Sequence, residues 1–189
     1  MADDTKQRLL LATIACIERK GLQATTSRDI AHEAEANVAA VNYHFGSKRK
    51  LVEGAMQLTI DNGMEDFAAA LQDERQPLAE RLHRFFVALL VGGSRYPNIA
   101  RAHLYGSIID GEAPGAYLQR LSALLDRALE AIPSAELPHP RQELARRLEL
   151  CMGAAMMQVI APDMIRVTPA GAAGVHEDAR RLVHLALAP

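Results

Sequence analysis

Hydrophobic side chains recur every three or four residues along most of this chain, a spacing that places them on one face of an α-helix. In residues 5–20 the stripe runs through Leu10, Ile14 and Ile17, and Gly21 follows as a helix stop. No stretch alternates between apolar and polar residues as a half-buried strand would. The pattern therefore predicts an all-α fold. Three more apolar residues widen the first stripe: Leu9, Leu11 and Cys16.

Residues 25–51, TTSRDIAHEAEANVAAVNYHFGSKRKL, contain two short helical patterns joined by a tight turn. The hydroxyl side chains at positions 25–27 suit a helix start, because they accept hydrogen bonds from unpaired backbone N–H groups. Ile30, Ala31 and Ala34 then fall on one face of the helix that follows. This arrangement predicts a helix-turn-helix.

The second helix of the motif begins after Asn37, whose side chain suits the same capping role. Val41 and Phe45, four residues apart, are predicted to point inward, and Gly46-Ser47 ends this helix and begins a fourth. The outward side has small apolar and aromatic residues without charged partners. Such a surface suits the major groove of DNA, which offers thymine methyl groups and base edges. The outward residues are Val38, Ala39, Asn42, Tyr43 and His44.

Beyond the motif, prolines punctuate the chain, and each interval between them carries a helical pattern. Together with the three helices before residue 47, these intervals give about nine helices in all. The predicted helices here are residues 47–71, 78–91, 98–109, 116–132, 141–160 and 173–187. The predicted loops are residues 111–115, 133–140 and 162–174.

Composition is that of an ordinary globular protein, with 49% hydrophobic and 23% charged residues among 189. Residues 1–50 hold eight Lys and Arg against six Asp and Glu, although the whole chain has a net charge of −2. Lys48, Arg49 and Lys50 lie just after the motif, where a phosphate strand would pass. Cys16 and Cys151 are expected to be buried free thiols. No transmembrane run or secretory start is evident, so the cytoplasm is the expected compartment.

One combination of residues in the motif is specific: Thr26, Ile30, Ala31, Ala34, Val41, Asn42-Tyr43-His44-Phe45 and Ser47-Lys48. With this combination, about the first quarter of the chain resembles the N-terminal domain of the TetR family of bacterial transcriptional repressors. The resemblance implies a three-helix DNA-binding domain at residues 1–50. A fourth helix would join it to a helical effector-binding and dimerisation domain at residues 51–189. The family often has glycine where this chain has Glu35, so the turn either avoids a positive φ or strains Glu35.

The resemblance further implies that the second helix of the motif enters the major groove of operator DNA while its neighbours hold phosphates. Val38, Ala39 and Ala40 would lie nearest the bases. Arg28 would bond guanine O6 and N7, with a surface salt bridge as the alternative. The expected DNA-binding residues are Thr26, Ser27, Arg28, Asn37, Val38, Ala39, Ala40, Asn42, Tyr43, His44 and Lys48.

Residues 141–160 become apolar on every side through CMGAAMMQVIA, which indicates burial on two sides. Gly153, Ala154 and Ala155 would allow another helix to approach closely. This helix and the last one are therefore the expected interface of a homodimer that reads a pseudo-palindrome. The alternative is that both helices face their own core.

The resemblance also implies a second site, for a small and mostly apolar effector in the C-terminal half. No catalytic motif is present, so the chain is not expected to be an enzyme or to need a cofactor. His176, Glu177, Asp178 and His184 are expected to be solvated rather than to hold a metal. The expected ligand-binding residues, each of which is equally compatible with ordinary core, are Met64, Phe67, Phe85, Phe86, His103, Tyr105, Tyr117 and Met156.

The favoured interpretation is a repressor that a ligand releases from double-stranded operator DNA. Three alternatives stay open at this point. The chain would be an all-α enzyme if the middle pocket turned over its ligand. It would be an activator if its operator lay elsewhere relative to the promoter. It would be an interaction protein if the motif bound a protein rather than a duplex.

Overall fold

The computed structural model describes residues 2–109, 115–162 and 172–188 of the chain. This described part consists of nine α-helices and one short 3₁₀ helix, Ser134–Glu136, without a β-strand. None of its helices is long and apolar enough to cross a lipid bilayer. The helices are α1 (Ala2–Lys20), α2 (Ser27–Glu33), α3 (Val38–Phe45), α4 (Lys48–Gln72), α5 (Leu78–Arg95), α6 (Pro97–Ile109), α7 (Ala116–Glu130), α8 (Arg141–Ile160) and α9 (Ala172–Leu187).

The all-α prediction and its nine helices are confirmed, with small differences at the boundaries. Helix α5 continues to Arg95 rather than ending at residue 91, and the predicted loop 133–140 contains the 3₁₀ helix. Most of the predicted loops 111–115 and 162–174 lies outside the described residues.

The helices group into two compact units, of which the first comprises residues up to 62 together with residues 96–113. Its core lies where α1 packs against α2 and α3. Leu9, Cys16, Ile30 and Leu51 are fully buried there, and Val41 is 1% exposed. Complete burial of these side chains stabilises the unit by on the order of 1.5–3 kcal/mol for each large aliphatic residue.

The inward stripe of α1 is displaced from the predicted one, because Leu10 and Ile14, predicted to face inward, are only half-buried. Leu9, Cys16 and Ile17 are completely buried, but Leu11 is 52% exposed. Because residues 9 and 11 are two positions apart, they lie on nearly opposite sides of a helix with 3.6 residues per turn. The prediction that Leu11 widens the stripe is therefore wrong.

Helix α6 belongs to the first unit although it is distant from α1 in the sequence. A carboxylate oxygen of Glu18 accepts a hydrogen bond from the backbone N–H of Ile99 at 3.0 Å, and the Asn98 amide donates to the Glu18 carbonyl at 2.8 Å. Thr59 of α4 and the His103 ring of α6 lie 2.9 Å apart, Oγ1 to Nε2. Glu18 thus caps the start of α6 from another helix.

The second unit comprises residues 63–95 and 114–189, with α5, α8 and α9 packed against one another. Phe85 and Phe86 are fully buried in its core. Helices α5 and α8 approach very closely at Gly93. A Cβ atom added at this glycine would lie 2.5 Å from a Cγ atom of Val159. Any side chain at this position would therefore force Val159 or the backbone to shift.

The packing units differ from the predicted division after residue 50. Residues 51–62 and α6 pack with the first unit, whereas the prediction assigns them to the effector and dimerisation domain. Packing units and functional domains are defined by different criteria. The functional division stays a prediction.

Candidate nucleic-acid interface

The turn between α2 and α3 is built by local hydrogen bonds. Thr26 caps α2, and its side chain and that of Asp29 form the reciprocal bonds of a capping box. Asn37 caps α3 by accepting a hydrogen bond from the Ala39 N–H at 2.8 Å. Glu35, between the two helices, has φ +50°, so of the two alternatives for this residue the strained one is correct.

Two ion pairs hold α2 against the end of α1. Arg19 and Glu33 lie 2.8 Å apart, and Lys20 and Asp29 lie 2.6 Å apart. The Lys20 ammonium, together with hydrogen bonds from Thr26, holds the pKa of Asp29 well below its usual range. Arg19 likewise lowers the pKa of Glu33. These pairs orient the motif relative to α1.

The outer face of α3 is exposed as predicted. Val38 is 42% exposed and Tyr43 is 82% exposed, whereas Val41 on the inner face is 1% exposed. Ala39 and Asn42 are also exposed. Ala40 differs from this group, because it is half-buried and packs against the core of the first unit. The face therefore offers two apolar residues, one amide and one phenol.

Arg28 of α2 is exposed, and it takes part in none of the ion pairs or hydrogen bonds found among the described residues. The structure thus gives no support to the salt-bridge alternative for this residue. Its five N–H donors remain available to a base or phosphate.

Two predicted DNA-binding side chains already have partners within the protein. The Thr26 hydroxyl donates to the Asp29 carboxylate at 2.6 Å. The Asn37 carbonyl oxygen is used in the cap of α3, which leaves its amide N–H₂ group as a donor. A hydrogen bond from Thr26 to DNA would have to compete with its hydrogen bond to Asp29.

The other expected DNA-binding residues are Tyr43 and His44 near the end of α3, Ser27 at the start of α2 and Lys48 at the start of α4. The Tyr43 and His44 rings pack edge to face with centroids 4.9 Å apart, and His44 is half-buried. Gly46, with φ +76°, ends α3, and the Ser47 hydroxyl accepts from the Lys50 N–H at 3.2 Å to begin α4. Ser27 and Lys48 are half-buried at the starts of α2 and α4. The hydroxyl group of Thr26 caps α2, and that of Ser47 caps α4.

The residues predicted to bind a ligand are divided between the two units. His103 and Tyr105 belong to the first unit, and Met64, Phe67, Phe85, Phe86, Tyr117 and Met156 to the second. Phe85 packs edge to face against Phe67 and Phe86, with ring centroids 5.5 Å and 5.3 Å apart. Burial lowers the pKa of His103 to about 4 and raises that of Tyr117 to about 12, so both side chains are neutral near pH 7.

An open groove of about 430 Å³ along α5 includes none of these predicted residues. It is lined by Glu80, His83, Arg84, Val87, Ala88, Val91 and His176. The first six of these residues lie on one face of α5. Their spacing of mostly three or four residues could have been recognised in the sequence. His176 of α9, expected to be solvated, is exposed, and its ring centroid lies 5.5 Å from that of His83.

The last two helices each expose a large apolar residue. Leu150 of α8 is 62% exposed and Leu185 of α9 is 63% exposed. Gly153 and Ala154 on α8 are exposed as well, whereas Ala155 is fully buried. Exposed apolar side chains such as these are removed from water only when another surface packs against them.

Comparison with known proteins gives consistent results. Residues 9–55 match the family model of bacterial regulatory proteins, tetR family. Over 84 residues the chain is 36% identical to the HTH-type transcriptional dual regulator CecR of Shigella flexneri, covering 44% of this chain and only 34% of that protein.

Solved structures resemble the chain over nearly its whole length. A tetR-family transcriptional regulator from Streptomyces coelicolor matches with a TM-score of 0.70 and 20% identity, over 96% of this chain and 78% of that one. A TetR-like regulator from Rhodococcus sp. RHA1 matches with a TM-score of 0.64 and 19% identity, over 95% and 93%. These similarities show a shared fold.

Proposed function

Because the chain belongs to the TetR family of bacterial transcriptional regulators, DNA-binding proteins without enzymatic activity, we propose that it is a dimeric, sequence-specific repressor. In this proposal it binds a pseudo-palindromic operator, and a small, largely apolar ligand releases it. Because regulators of this family are not enzymes, the family assignment argues against the enzymatic alternative.

The exposed face of α3 is the observation that carries the proposal. Val38, Ala39 and Asn42 are exposed beside a buried Val41, and Arg28 of α2 is exposed and unpaired among the described residues. An α-helix fits the major groove, where apolar side chains meet thymine methyl groups and guanidinium groups meet guanine. This surface has the chemistry to distinguish base pairs.

Phosphate contacts would fix the orientation of α3 in the groove. Tyr43 extends from the end of α3, with 82% of its side chain exposed, and Lys48 begins the next helix. A phenolic O–H and an ammonium group are donors that phosphate oxygens accept. Contacts of this kind position the protein without reading sequence, so their loss should weaken binding to every duplex.

A homodimer would present two copies of α3 to two half-sites. One helix-turn-helix buries too little surface for specific affinity at physiological salt, so two copies are needed. The exposed Leu150 and Leu185 support an interface through α8 and α9, because both lose contact with water if a second copy covers them.

The effector would act by a population shift. Such a ligand prefers a dimer in which the spacing of the two α3 helices does not match the operator. It weakens DNA binding by at most the ratio of its affinities for the mismatched and the matched dimer. If the ligand binds near Phe85, it would have to displace or rearrange the rings of Phe67 and Phe86, which pack edge to face against Phe85.

Activation rather than repression is the second candidate. The CecR protein, similar over part of this chain, is named a dual regulator. The sign of regulation depends on where an operator lies relative to its promoter, and one DNA-binding surface serves both signs.

Selection of bound fragments from random duplex DNA tests the proposal. The expected result is an enriched consensus with two half-sites related by twofold symmetry and about one helical turn or more apart. Recovery of fragments without a common sequence would contradict specific binding. A genomic match to this consensus would locate the operator, and transcription measured from the adjacent promoter with and without the protein would decide between repression and activation.

Variants of the candidate surface separate the two kinds of contact. Lys48→Ala and Tyr43→Ala should weaken binding to all duplexes, with Lys48→Ala also reducing the salt dependence by roughly one unit of slope. Ala39 substitutions should instead change which half-site is preferred. Equal behaviour of both classes in a quantitative binding assay would refute the assignment.

A further inference from the structure

The exposed first turn of α3 lacks free hydrogen-bonding side chains for base recognition. Val38, 42% exposed, and the exposed Ala39 carry no polar side-chain atom. The core beneath is completed by Val41, which is 1% exposed, so packing within the first unit does not account for the valine at position 38. An apolar partner outside the protein would account for it.

The one polar side chain at this turn is largely committed to the helix itself. The carbonyl oxygen of Asn37 accepts a hydrogen bond from the Ala39 N–H at 2.8 Å. Losing a cap of this kind destabilises a helix, so the carbonyl oxygen stays in place. Side-chain hydrogen bonds to bases are therefore left to the amide N–H₂ group of Asn37, to Arg28 and to Asn42.

Only one apolar group lies on the base edges of the major groove. This group is the methyl at C5 of thymine, and cytosine has a hydrogen at the same ring position. The methyl of 5-methylcytosine occupies that position too, so the two pyrimidines present the same apolar group beside different hydrogen-bonding groups. Val38 and Ala39, which have no hydrogen-bonding side-chain atoms, can respond only to the methyl.

Building on the proposed function, we propose that Val38 and Ala39 recognise the C5-methyl group of a pyrimidine in each half-site. At that position thymine and 5-methylcytosine are equivalent to the protein, and the contacts of Arg28 and Asn42 specify the neighbouring base pairs. Cytosine methylation at that position therefore strengthens binding.

Exchange of single methyl groups in the selected operator tests this proposal. Each thymine is replaced by uracil, which removes only the methyl, and the dissociation constant is measured by fluorescence anisotropy. Burial of one such group is worth about 0.8 kcal/mol, or about fourfold in affinity. At least one uracil position in each half-site should weaken binding by about that factor.

The second arm of the experiment separates the two sources of the methyl. At the position where uracil weakens binding, a duplex with cytosine is compared with one that has 5-methylcytosine. The methylated duplex should bind about fourfold more tightly. A uracil penalty without a 5-methylcytosine gain would overturn the equivalence of the two pyrimidines.

Protein variants assign the effect to the named side chain. Val38→Ala should reduce the uracil penalty, because less apolar surface remains to cover the methyl. Val91→Ala is the matched control: it makes the same change at a valine that is 48% exposed on α5, outside the candidate DNA-binding surface, and it should leave the uracil penalty unchanged. A penalty that persists in full in Val38→Ala would contradict the role of Val38.

Failure of this inference is distinguishable from failure of the proposed function. A protein that enriches a consensus but binds every uracil-containing duplex as tightly as the original refutes methyl recognition alone. A protein that enriches no consensus refutes the proposed function as well.

Discussion

At the scale of single residues, hydrogen bonding within the protein separates exposed side chains that look alike in the sequence. Thr26 and Asn37 are polar and lie at helix starts, and both have partners within the motif. Arg28 and Tyr43 lie nearby and are exposed. The first pair builds the motif, and the second pair is available to DNA.

Glu35 strains the turn of the motif, and removing the strain should stabilise the protein. Its φ of +50° lies in the left-handed region, which costs an L-residue roughly 1–2 kcal/mol. Glycine avoids that cost but loses about 0.5–1 kcal/mol of conformational entropy on folding. Glu35→Gly should therefore raise the free energy of unfolding by about 0.5–1 kcal/mol, measured by urea denaturation. Glu53→Gly, within α4, should lower it; a decrease in both variants would contradict strain at Glu35.

The Lys20–Asp29 pair should make stability depend on pH in the acid range. The pKa of Asp29 is lowered in the folded protein, so its contribution is present above the unfolded pKa of about 4 and is lost as pH falls. Asp29→Asn should be less stable than the parent at pH 7, and the difference should shrink toward pH 3. Asp66→Asn, at an exposed carboxylate outside the ion pairs recorded among the described residues, is the control. A constant difference across this range would contradict the account.

At the scale of elements, close helix approach fixes the second unit. Helices α5 and α8 meet at Gly93, where an added Cβ atom would lie 2.5 Å and 2.6 Å from the two Cγ atoms of Val159. Such overlap forces side chains or backbone to shift. The α5–α8 contact thus depends on a residue that has no side chain.

Substitution at Gly93 tests this contact. Gly93→Ala should destabilise the protein by about 1–3 kcal/mol, whereas Gly92→Ala, with no atom within 4 Å of its added Cβ, should stabilise it by up to about 1 kcal/mol. In a double-mutant cycle measured by urea denaturation, Val159→Ala should relieve part of the cost of Gly93→Ala. Additive effects of the two substitutions would show that they do not clash.

Most elements could be predicted from the sequence because their signals are local. Capping residues such as Asn37 and the stop at Gly46 set the bounds of α3. The place of α6 could not be predicted in this way. Its attachment to α1 uses Glu18 and the backbone of Ile99, which are far apart in sequence and leave no periodic signal. The exposure of Leu11 was missed because several stripes on α1 fit its apolar residues almost equally well.

At the scale of the whole molecule, the proposed binding to two half-sites requires two copies of the chain. Leu150→Glu and Leu185→Glu should each weaken the dimer by on the order of 100-fold, because like charges would face each other near the twofold axis. Analytical ultracentrifugation measures this change, and operator affinity should fall with it. Val91→Glu, at a residue 48% exposed on α5, is the matched control and should remain dimeric. Unchanged dimerisation in both leucine variants would place the interface elsewhere.

The two candidate sites differ in how far the sequence predicts them. The DNA-binding surface lies within about twenty residues of one continuous motif, so local patterns show which side chains point outward. A ligand cavity depends on the space left between distant helices. The pattern around Phe85 is the same whether the interior is filled or hollow, which is why that site stays a proposal.

The central claim is that α3 lies in the major groove of each half-site. The most direct test is methylation interference on the selected operator, because dimethyl sulfate modifies guanine N7 in the major groove and adenine N3 in the minor groove. We expect guanine N7 methylation within the half-sites to prevent binding, while adenine N3 methylation there has little effect. Interference at adenine N3 alone would contradict the account.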